Sequence, residues 1–541
     1  MTQSQVPPSV LADQTCFLKE TQGPGEIQRQ VLLEILRQNQ ATRYGREHGF
    51  SQVPDETAFK RSVPVVRYPD LGPYIEDIQA GHEKVLTQEP VETFARTSGT
   101  TGQPKLIPVT RCGLRRMQAF FGQWLAAALA DHPSMFDRHF LCLAGPAVEG
   151  LCAGGLPYGS ASGIIFNAQP SWLRALSAIP ETLATIDDYE LRSYLVARLA
   201  YERSLSFAAT PNPLTLTRLA ETAMAHHETI IRSIHDGSLG RQLDSTLSLP
   251  SVQPNPLRAS FLEGVLSETG KLMPRDCWPD LALIGCWLGG SIGYYASTLE
   301  AIYGPAPLRD LGYMASEGCM SLPLADGEAR GVLALRQNYY EFIHESQINA
   351  PAPDCLGIND IAPGQCYKLL LTNHNGLYRY DIEDLVKVEG TCLQTPMISF
   401  QRKLGHMTNL MGEKLHLNHC LAAMSEVQEQ LSIAIDQFRV VPDRDRACYE
   451  VFVAFPSGAA HEDRAIEILQ VFDRALRSQN IEYDARRQSK RMKAPRMHIM
   501  DAAWPRAVKQ GFQEKWIVLA DKTIRTDAAH IRHTIDGGTL L

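Results

Sequence analysis

The stretch Leu281-Ala282-Leu283-Ile284-Gly285-Cys286-Trp287 has no strongly polar side chain and runs into the glycine turn Leu288-Gly289-Gly290, ahead of a helical pattern around residues 294–302. Strands covered on both faces read this way. A buried strand, a glycine turn and a helix start in succession predict α/β layering. The stretch is uncharged from Leu281 to Leu299, as is Gly150 to Leu173, but glycines and prolines punctuate both. A membrane-spanning helix needs about 20 continuous apolar residues, so no membrane span is expected.

Working outward, Glu92–Ala95 and Leu106–Val109 predict two strands joined by the hydroxyl-rich loop Thr97-Ser98-Gly99-Thr100-Thr101-Gly102-Gln103-Pro104-Lys105. Ile27, Val31, Leu32, Ile35 and Leu36 recur at helical spacing, and residues 111–130 predict an apolar helix. A further helical piece is expected over 71–80, and Pro180 to Gly240 reads as mostly helical. Residues 331–400 are strand-rich. Past residue 402 the texture becomes a compact α/β unit, with a strand at Tyr449–Phe455, a helix over Ala465–Leu476 and a short strand at Met497–Met500. The expected architecture is therefore a large N-terminal multi-sheet α/β domain with a β-rich subdomain (1–400) and a small mobile C-terminal α/β lid domain (401–541).

The chain has 541 residues, 44% hydrophobic and 21% charged. That composition excludes disordered, collagen-like and coiled-coil chains. The net charge of -8 argues against nucleic acid as a partner. The most basic run, Arg486-Arg487-Gln488-Ser489-Lys490-Arg491-Met492-Lys493, reads as a solvated segment near a helix end. Twelve scattered cysteines contain no CxxC pair and no zinc spacing. With an N-terminus lacking a basic and apolar leader, they predict reduced thiols and a cytoplasmic location.

Four segments carry chemistry. In the Thr97–Lys105 loop, glycines allow close backbone approach to phosphate oxygens, hydroxyls add neutral donors, and Lys105 adds a point charge. The spacing does not fit a Walker A loop, and the alternative is a plain polar turn. Glu317, in Tyr313-Met314-Ala315-Ser316-Glu317-Gly318, is a carboxylate at a turn, able to hold Mg²⁺ beside phosphates; otherwise it is a solvated loop glutamate. Tyr378-Arg379-Tyr380-Asp381-Ile382-Glu383-Asp384 places a carboxylate after an aromatic strand, where it can accept both hydroxyls of a ribose or cap a turn. Gly511-Phe512-Gln513-Glu514-Lys515 offers a lysine on the small domain.

Together, and in this order, these segments resemble the adenylate-forming superfamily, and within it the auxin-responsive acyl acid–amido synthetases (the GH-three family), as a bacterial-type member. Val63-Pro-Val-Val-Arg-Tyr-Pro-Asp-Leu-Gly-Pro-Tyr-Ile75, Tyr340-Glu-Phe-Ile343, Phe400-Gln-Arg-Lys403 and the trio Asn480, Tyr483 and Arg487 extend the resemblance. It implies ATP and Mg²⁺ as cofactors. By it, Ser98, Gly99, Thr100 and Thr101 hold the β- and γ-phosphates, and Met314, Ala315 and Ser316 line the adenine. Glu317 binds Mg²⁺, Asp384 holds the ribose, Arg402 and Lys403 form the hinge, and Lys515 meets the α-phosphate and acyl carboxylate. Leu114, Met117, Phe121 and Tyr158 are the implied acyl-pocket walls, or else plain core. The family carries Gly where this chain has Glu383, and commonly Arg or Lys where it has Asp381. Asp381 and Asp384 both remain candidates, with spacing favouring Asp384. Trp516 follows Lys515 where a Pro is usual, so Lys509 and Lys522 stand as alternatives.

The implied reaction is ATP-dependent adenylation of a small carboxylic acid and transfer of the acyl group to an amine such as an amino acid. The alternative is thioester formation on coenzyme A or a carrier protein. No nucleic acid or membrane partner is implied, and a monomer is the expected state.

Overall fold

The computed structural model describes residues 17, 19–97, 105–241, 251–289, 296–404, 407–408, 410, 413, 415–456, 461–501, 503–504, 519, 529–536 and 539–540. The chain divides into two compact units, Met1–Gln401 and Arg402–Leu541.

In the first unit, helix α1 (Pro24–Asn39) buries Ile27, Val31, Leu32, Ile35 and Leu36, the stripe read from the sequence. Gln28 shares that face, and its amide is satisfied by the carbonyls of Leu335 and Asn338 and by the Tyr340 N–H. Helix α2 (Tyr68–Gln79) leads into β1 (Val91–Arg96) and β2 (Leu106–Thr110), an antiparallel pair. Thr110 then caps helix α3 (Arg111–Asp131) by accepting from the Gly113 N–H. Strand β3 (His139–Cys142) follows, then β4 (Gly150–Leu151) and β5 (Pro157–Ser160). The order β2-β1-β5-β4 makes one mixed sheet, with β1 and β5 parallel.

A second sheet is all parallel, β3-β6-β7-β8, from β3, β6 (Leu205–Ala209), β7 (Leu283–Gly285) and β8 (Leu308–Arg309). β7 is the centre of the stretch that predicted α/β layering, and all three of its residues are buried. β6 lies inside the segment read as mostly helical. Its sequence, Leu-Ser-Phe-Ala-Ala, is buried throughout, so neither period shows. The glycine turn after β7 passes into residues 290–295, outside the described residues; the helix read there is present as Leu299–Tyr303, behind a short 3-10 turn.

β9 (Met314–Ala315) and β10 (Gly318–Cys319) form a small hairpin. The strand-rich stretch then builds a six-stranded sheet in the order β11-β12-β16-β15-β14-β13. Its members are β11 (Ser321–Leu322), β12 (Gly331–Leu333), β13 (Asn338–His344), β14 (Cys366–Asn373), β15 (Tyr380–Cys392) and β16 (Thr395–Lys403). Its apolar side chains share one cluster with α1, α2, β1 and β2. At the edge of that cluster the buried Arg379 grips Glu341 through two bonds of 2.9 Å and donates to the carbonyls of Lys60 and Val63. Three sequence segments quoted separately therefore meet at Arg379. Arg379→Met should destabilise the unit by about 3–5 kcal/mol, because Glu341 is left charged in the core. Replacing both residues by Met should recover most of that loss in denaturant titrations.

The second unit carries β17 (Met407–Thr408) and β18 (Leu415–His416), helix α4 (Leu417–Leu431), and a five-stranded sheet in chain order. The sheet comprises β19 (Gln437–Asp443), β20 (Cys448–Ala454), β21 (Arg496–Met500), β22 (Ile531–Asp536) and β23 (Thr539–Leu540). Helix α5 (Ala465–Gln479) packs on α4 and is followed by α6 (Ile481–Gln488). Asn480, Tyr483 and Arg487 are a structural brace. Asn480 caps α6 and reaches His419 at 3.1 Å, while Tyr483 and Arg487 both bond Asp473. Arg487 is thus an exception to the solvated reading of the basic run: Asp473, on α5, pulls it inward. The described cysteines form no disulfide with one another, and no helix among the described residues is long and apolar enough to cross a membrane.

Candidate functional site

The β1–β2 hairpin closes at its stem. The Thr97 N–H donates to the Lys105 carbonyl at 2.9 Å, and the Lys105 N–H donates to Thr97 Oγ1 at 3.1 Å. The two ends of the phosphate-loop candidate are therefore pinned together, although Ser98, Gly99, Thr100 and Thr101 lie outside the described residues. Tyr68, at the start of α2, supports this stem. Its hydroxyl accepts the Leu106 N–H at 2.9 Å, and the Lys105 ammonium sits 5.7 Å from its ring centre.

Ser316 and Glu317 are the turn of the β9–β10 hairpin, since Ala315 pairs with Gly318 and Met314 with Cys319. Gly318 has a packing reason: a Cβ there would stand 2.9 Å from Asn338 Oδ1. Asn338 needs that approach, because its amide donates to the Cys319 carbonyl. Asn373 donates to the Glu317 carbonyl at 2.8 Å and fixes the turn from β14. Glu317 is 5% exposed, so the solvated alternative does not hold. Its carboxylate accepts a long hydrogen bond, 3.5 Å, from Tyr380, and among the described residues no basic side chain pairs with it. Buried carboxylates without a cation are unfavourable, which suits a divalent ion. No group of three or more His, Cys, Asp or Glu able to hold a metal occurs among the described residues. One protein carboxylate with phosphate oxygens as co-ligands is the usual setting for Mg²⁺, and this donor set fits it.

Asp384 is displayed by a bulge. Lys368 pairs with Leu385 and Leu370 with Asp381, so Ile382, Glu383 and Asp384 of β15 face the single Leu369 of β14. Glu383 takes the left-handed conformation that the bulge requires, φ +61. This is where the resembled family carries Gly, which adopts that conformation without steric cost. Here the Glu383 N–H bonds Asp381 Oδ1, and its carboxylate lies 3.6 Å from Arg67. Asp384 is 3% exposed and accepts the Tyr313 O–H on Oδ2 at 2.6 Å. Burial first, then the Asp384 charge, hold the Tyr313 phenol well above its usual range, so it stays a donor.

The two aspartates separate by their partners. Asp381 is taken up by Lys368 at 2.6 Å and Arg67 at 3.1 Å. The segment Val63–Ile75 explains itself here. Val66 exchanges backbone hydrogen bonds with Arg379 and Asp381, and Arg67 ties the near side of the bulge to Asp381 and Glu383. It is a clamp on the strand that presents Asp384.

Three tyrosines join these parts. Tyr68 meets the loop stem, Tyr380 meets Glu317, and Tyr313 meets Asp384. Burial raises the phenol pKa of all three, and the Glu317 charge raises each further, so all stand within its electrostatic reach. The sequence segments contain all three tyrosines, and Arg67 within Val63–Ile75, but give none of them a role, and they give none to Lys368. The usable signal was a set of aromatic hydroxyls beside every acidic candidate.

Met314, Ala315 and Ser316 are half-buried on the hairpin, and Arg402 and Lys403 end β16 where the first unit gives way to the second. Lys515, like Lys509 and Lys522, lies outside the described residues. Leu114, Met117 and Phe121 form a half-buried stripe on α3 that continues to Leu125, and Tyr158 is half-buried on β5. Leu114 and Tyr158 pack with the cluster that holds Ala315, and Phe121 with the cluster that holds Met314. Met117 touches both.

The chain matches the GH3 family N-terminal domain over residues 14–308, the GH3 family central domain over 331–403 and the GH3 family C-terminal domain over 418–514. It is 26% identical to a jasmonoyl–L-amino acid synthetase, JAR6, of Nicotiana attenuata, over 84% of this chain and 83% of that one. It is 25% identical to an indole-3-acetic acid-amido synthetase, GH3.4, of Arabidopsis thaliana, over 74% of this chain and 70% of that one. Among solved structures it superposes on the AtGH3.15 acyl acid amido synthetase in complex with 2,4-DB with a TM-score of 0.85 at 19% identity, covering 99% and 98% of the two chains. A 2-hydroxyisobutyryl-CoA ligase shares the fold more distantly, TM-score 0.54 at 14% identity, covering 96% and 90%. With family domains matched along most of its length, the chain belongs to the GH3 family.

Proposed function

We propose that the chain is an acyl acid amido synthetase, activating a carboxylic acid with ATP and passing the acyl group to the amine of an amino acid. The observation that carries this reading is the convergence of the Thr97/Lys105 stem, Glu317 and Asp384 around Tyr68, Tyr380 and Tyr313, in a chain of the GH3 family.

A carboxylate and an amine do not condense readily in water, because the carboxylate is a poor electrophile. In the first half-reaction a carboxylate oxygen attacks the α-phosphorus of ATP. The bond from that phosphorus to the pyrophosphate oxygen breaks, and pyrophosphate leaves with the electron pair. In the second, the amine nitrogen attacks the acyl carbon, AMP leaves, and the nitrogen gives up a proton. The protein's contribution is positioning and charge neutralisation. Asp384, fixed by Tyr313, holds the ribose. Met314, Ala315 and Ser316 line the adenine, and Ser98, Gly99, Thr100 and Thr101 hold the β- and γ-phosphates. Glu317 would hold Mg²⁺, which would supply neutralising charge to the bound phosphates. Lys515 meets the α-phosphate and acyl carboxylate in the first step. Arg402 and Lys403 form the hinge on which the second unit turns for the second. The acid is apolar or aromatic, to suit Leu114, Met117, Phe121 and Tyr158.

A mass-spectrometric screen of small acids against amino acids, with ATP and Mg²⁺, tests this. Amide masses are expected. A thioester formed with coenzyme A and no amide would assign the chain to thioester-forming ligases instead, and no ATP-dependent product from a broad panel would reject the reading.

A further inference from the structure

Asp310 lies outside every segment the sequence singled out for chemistry, yet it is among the most tightly held carboxylates of the first unit. It is 3% exposed, in the loop between β8 and β9. Its Oδ2 accepts the Leu288 N–H at 2.6 Å and its Oδ1 accepts the Gly312 N–H at 2.7 Å, and the Gly289 N–H also donates to the carboxylate. Two loops are thereby joined: the one leaving β7 and the one entering β9. Trp287 adds a second stitch, its indole N–H donating to the Gly312 carbonyl at 3.0 Å. Trp124 of α3 donates to the Asp310 carbonyl at 2.8 Å. Gly312 must be glycine, since its φ is +98 and a Cβ would stand 2.4 Å from the Ser321 carbonyl oxygen. The next residue is Tyr313, whose hydroxyl holds Asp384.

We propose that Asp310 is a positioning residue, whose carboxylate locks the loop after β7 to the loop before β9 and so holds Tyr313, and through it Asp384, in the geometry that nucleotide binding needs. This rests on the nucleotide site proposed above. Three backbone N–H donors call for a carboxylate, which accepts on both oxygens; a protonated carboxyl turns one of those positions into a donor and releases a strand of the lock.

Burial pushes the Asp310 carboxyl up to about 6, against the opposing pull of the three N–H groups. Its surroundings contain no compensating cation: among the described residues no ion pair reaches Asp310, and the Arg309 guanidinium turns away to Asp131 and Asp326. The titratable group facing it is the Cys286 thiol, itself pushed up to about 12, by burial first and then by the Asp310 charge. From α3 the facing group is the uncharged Trp124 indole. The lock therefore opens within an accessible pH range. The sign for folding is the opposite. A carboxyl with a raised native pKa stabilises the folded chain below its unfolded value, near 4, and loses that contribution as pH rises through about 6. Acid thus favours the fold through this group while loosening the site, a combination that a purely structural aspartate does not produce.

The test compares ATP dissociation constants of the parent and Asp310→Asn from pH 5 to pH 7.5, as a ratio that cancels the titration of the ATP phosphates themselves. The ratio should be about tenfold at pH 7.5 and fall toward unity at pH 5, while the Tm difference moves in favour of the variant as pH rises. A ratio that does not change with pH overturns the proposal. A second measurement does not use Asp310→Asn. The fluorescence of Trp287, taken as the difference from Trp287→Phe, should shift with a midpoint near pH 6. A flat signal overturns the lock even if Asp310→Asn does not fold. A parent that binds no ATP at any pH would sink the nucleotide reading, while the Trp287 titration would still decide the lock.

Discussion

Glu317→Gln should slow Mg²⁺-supported adenylation by roughly 10²–10³-fold while leaving the fold intact. Glutamine matches the shape of glutamate and can keep the Tyr380 contact. What it removes is the negative charge, which among the described residues has no basic partner. Removing an uncompensated buried charge does not cost stability and can add to it, so Tm should hold or rise. The loss should appear as a weakened dependence on Mg²⁺ concentration rather than as a loss of acid binding. An unchanged Mg²⁺ activation curve would take Glu317 out of the metal site. A fall in Tm with a parental curve would make it a structural residue of the β9–β10 turn.

Lys515→Ala should slow acyl-adenylate formation to a similar extent, roughly 10²–10³-fold, because a preorganised cation is lost where charge builds between carboxylate, α-phosphate and departing pyrophosphate. ATP binding should remain measurable, since Asp384, the hairpin and the phosphate loop are untouched. Amide formation from preformed acyl-adenylate should also survive, because the proposed mechanism gives Lys515 no part in that step. That split between half-reactions distinguishes a lost charge from a damaged fold. Lys509→Ala and Lys522→Ala are the controls, expected to stay near the parental rate. Either one showing the adenylation defect in place of Lys515→Ala would move the role to that lysine.

Much of the first unit was legible because its elements are amphipathic or long. The α1 stripe has a helical period that survives in sequence, and strands β13 to β15 are long runs rich in aromatic and branched apolar side chains. β6 was not legible, because a short strand buried on every side has no period to show. The site was legible as a set of segments but not as contacts. Nothing local to Arg379 predicts Glu341, and nothing near Tyr313 predicts Asp384, 71 residues away. The bulge that presents Asp384 was hidden for a different reason. Glu383 has no preference for a left-handed backbone, so the position carries no glycine to announce it. Asp310 did leave a trace, the Asp-Leu-Gly sequence of a side chain folding back on its own loop, but its burial and its bond to Leu288 are tertiary facts.

On the function proposed above, the loop stem at Thr97 and Lys105, the Glu317 turn and the Asp384 bulge form one nucleotide site. A crystal structure of the chain with AMP and its carboxylic acid substrate tests that most directly. Ribose hydroxyls on Asp384, adenine against Met314–Ser316 and the phosphate between Glu317 and the loop stem are the expected result. A ribose on Asp381, or a nucleotide bound away from these three elements, would contradict it.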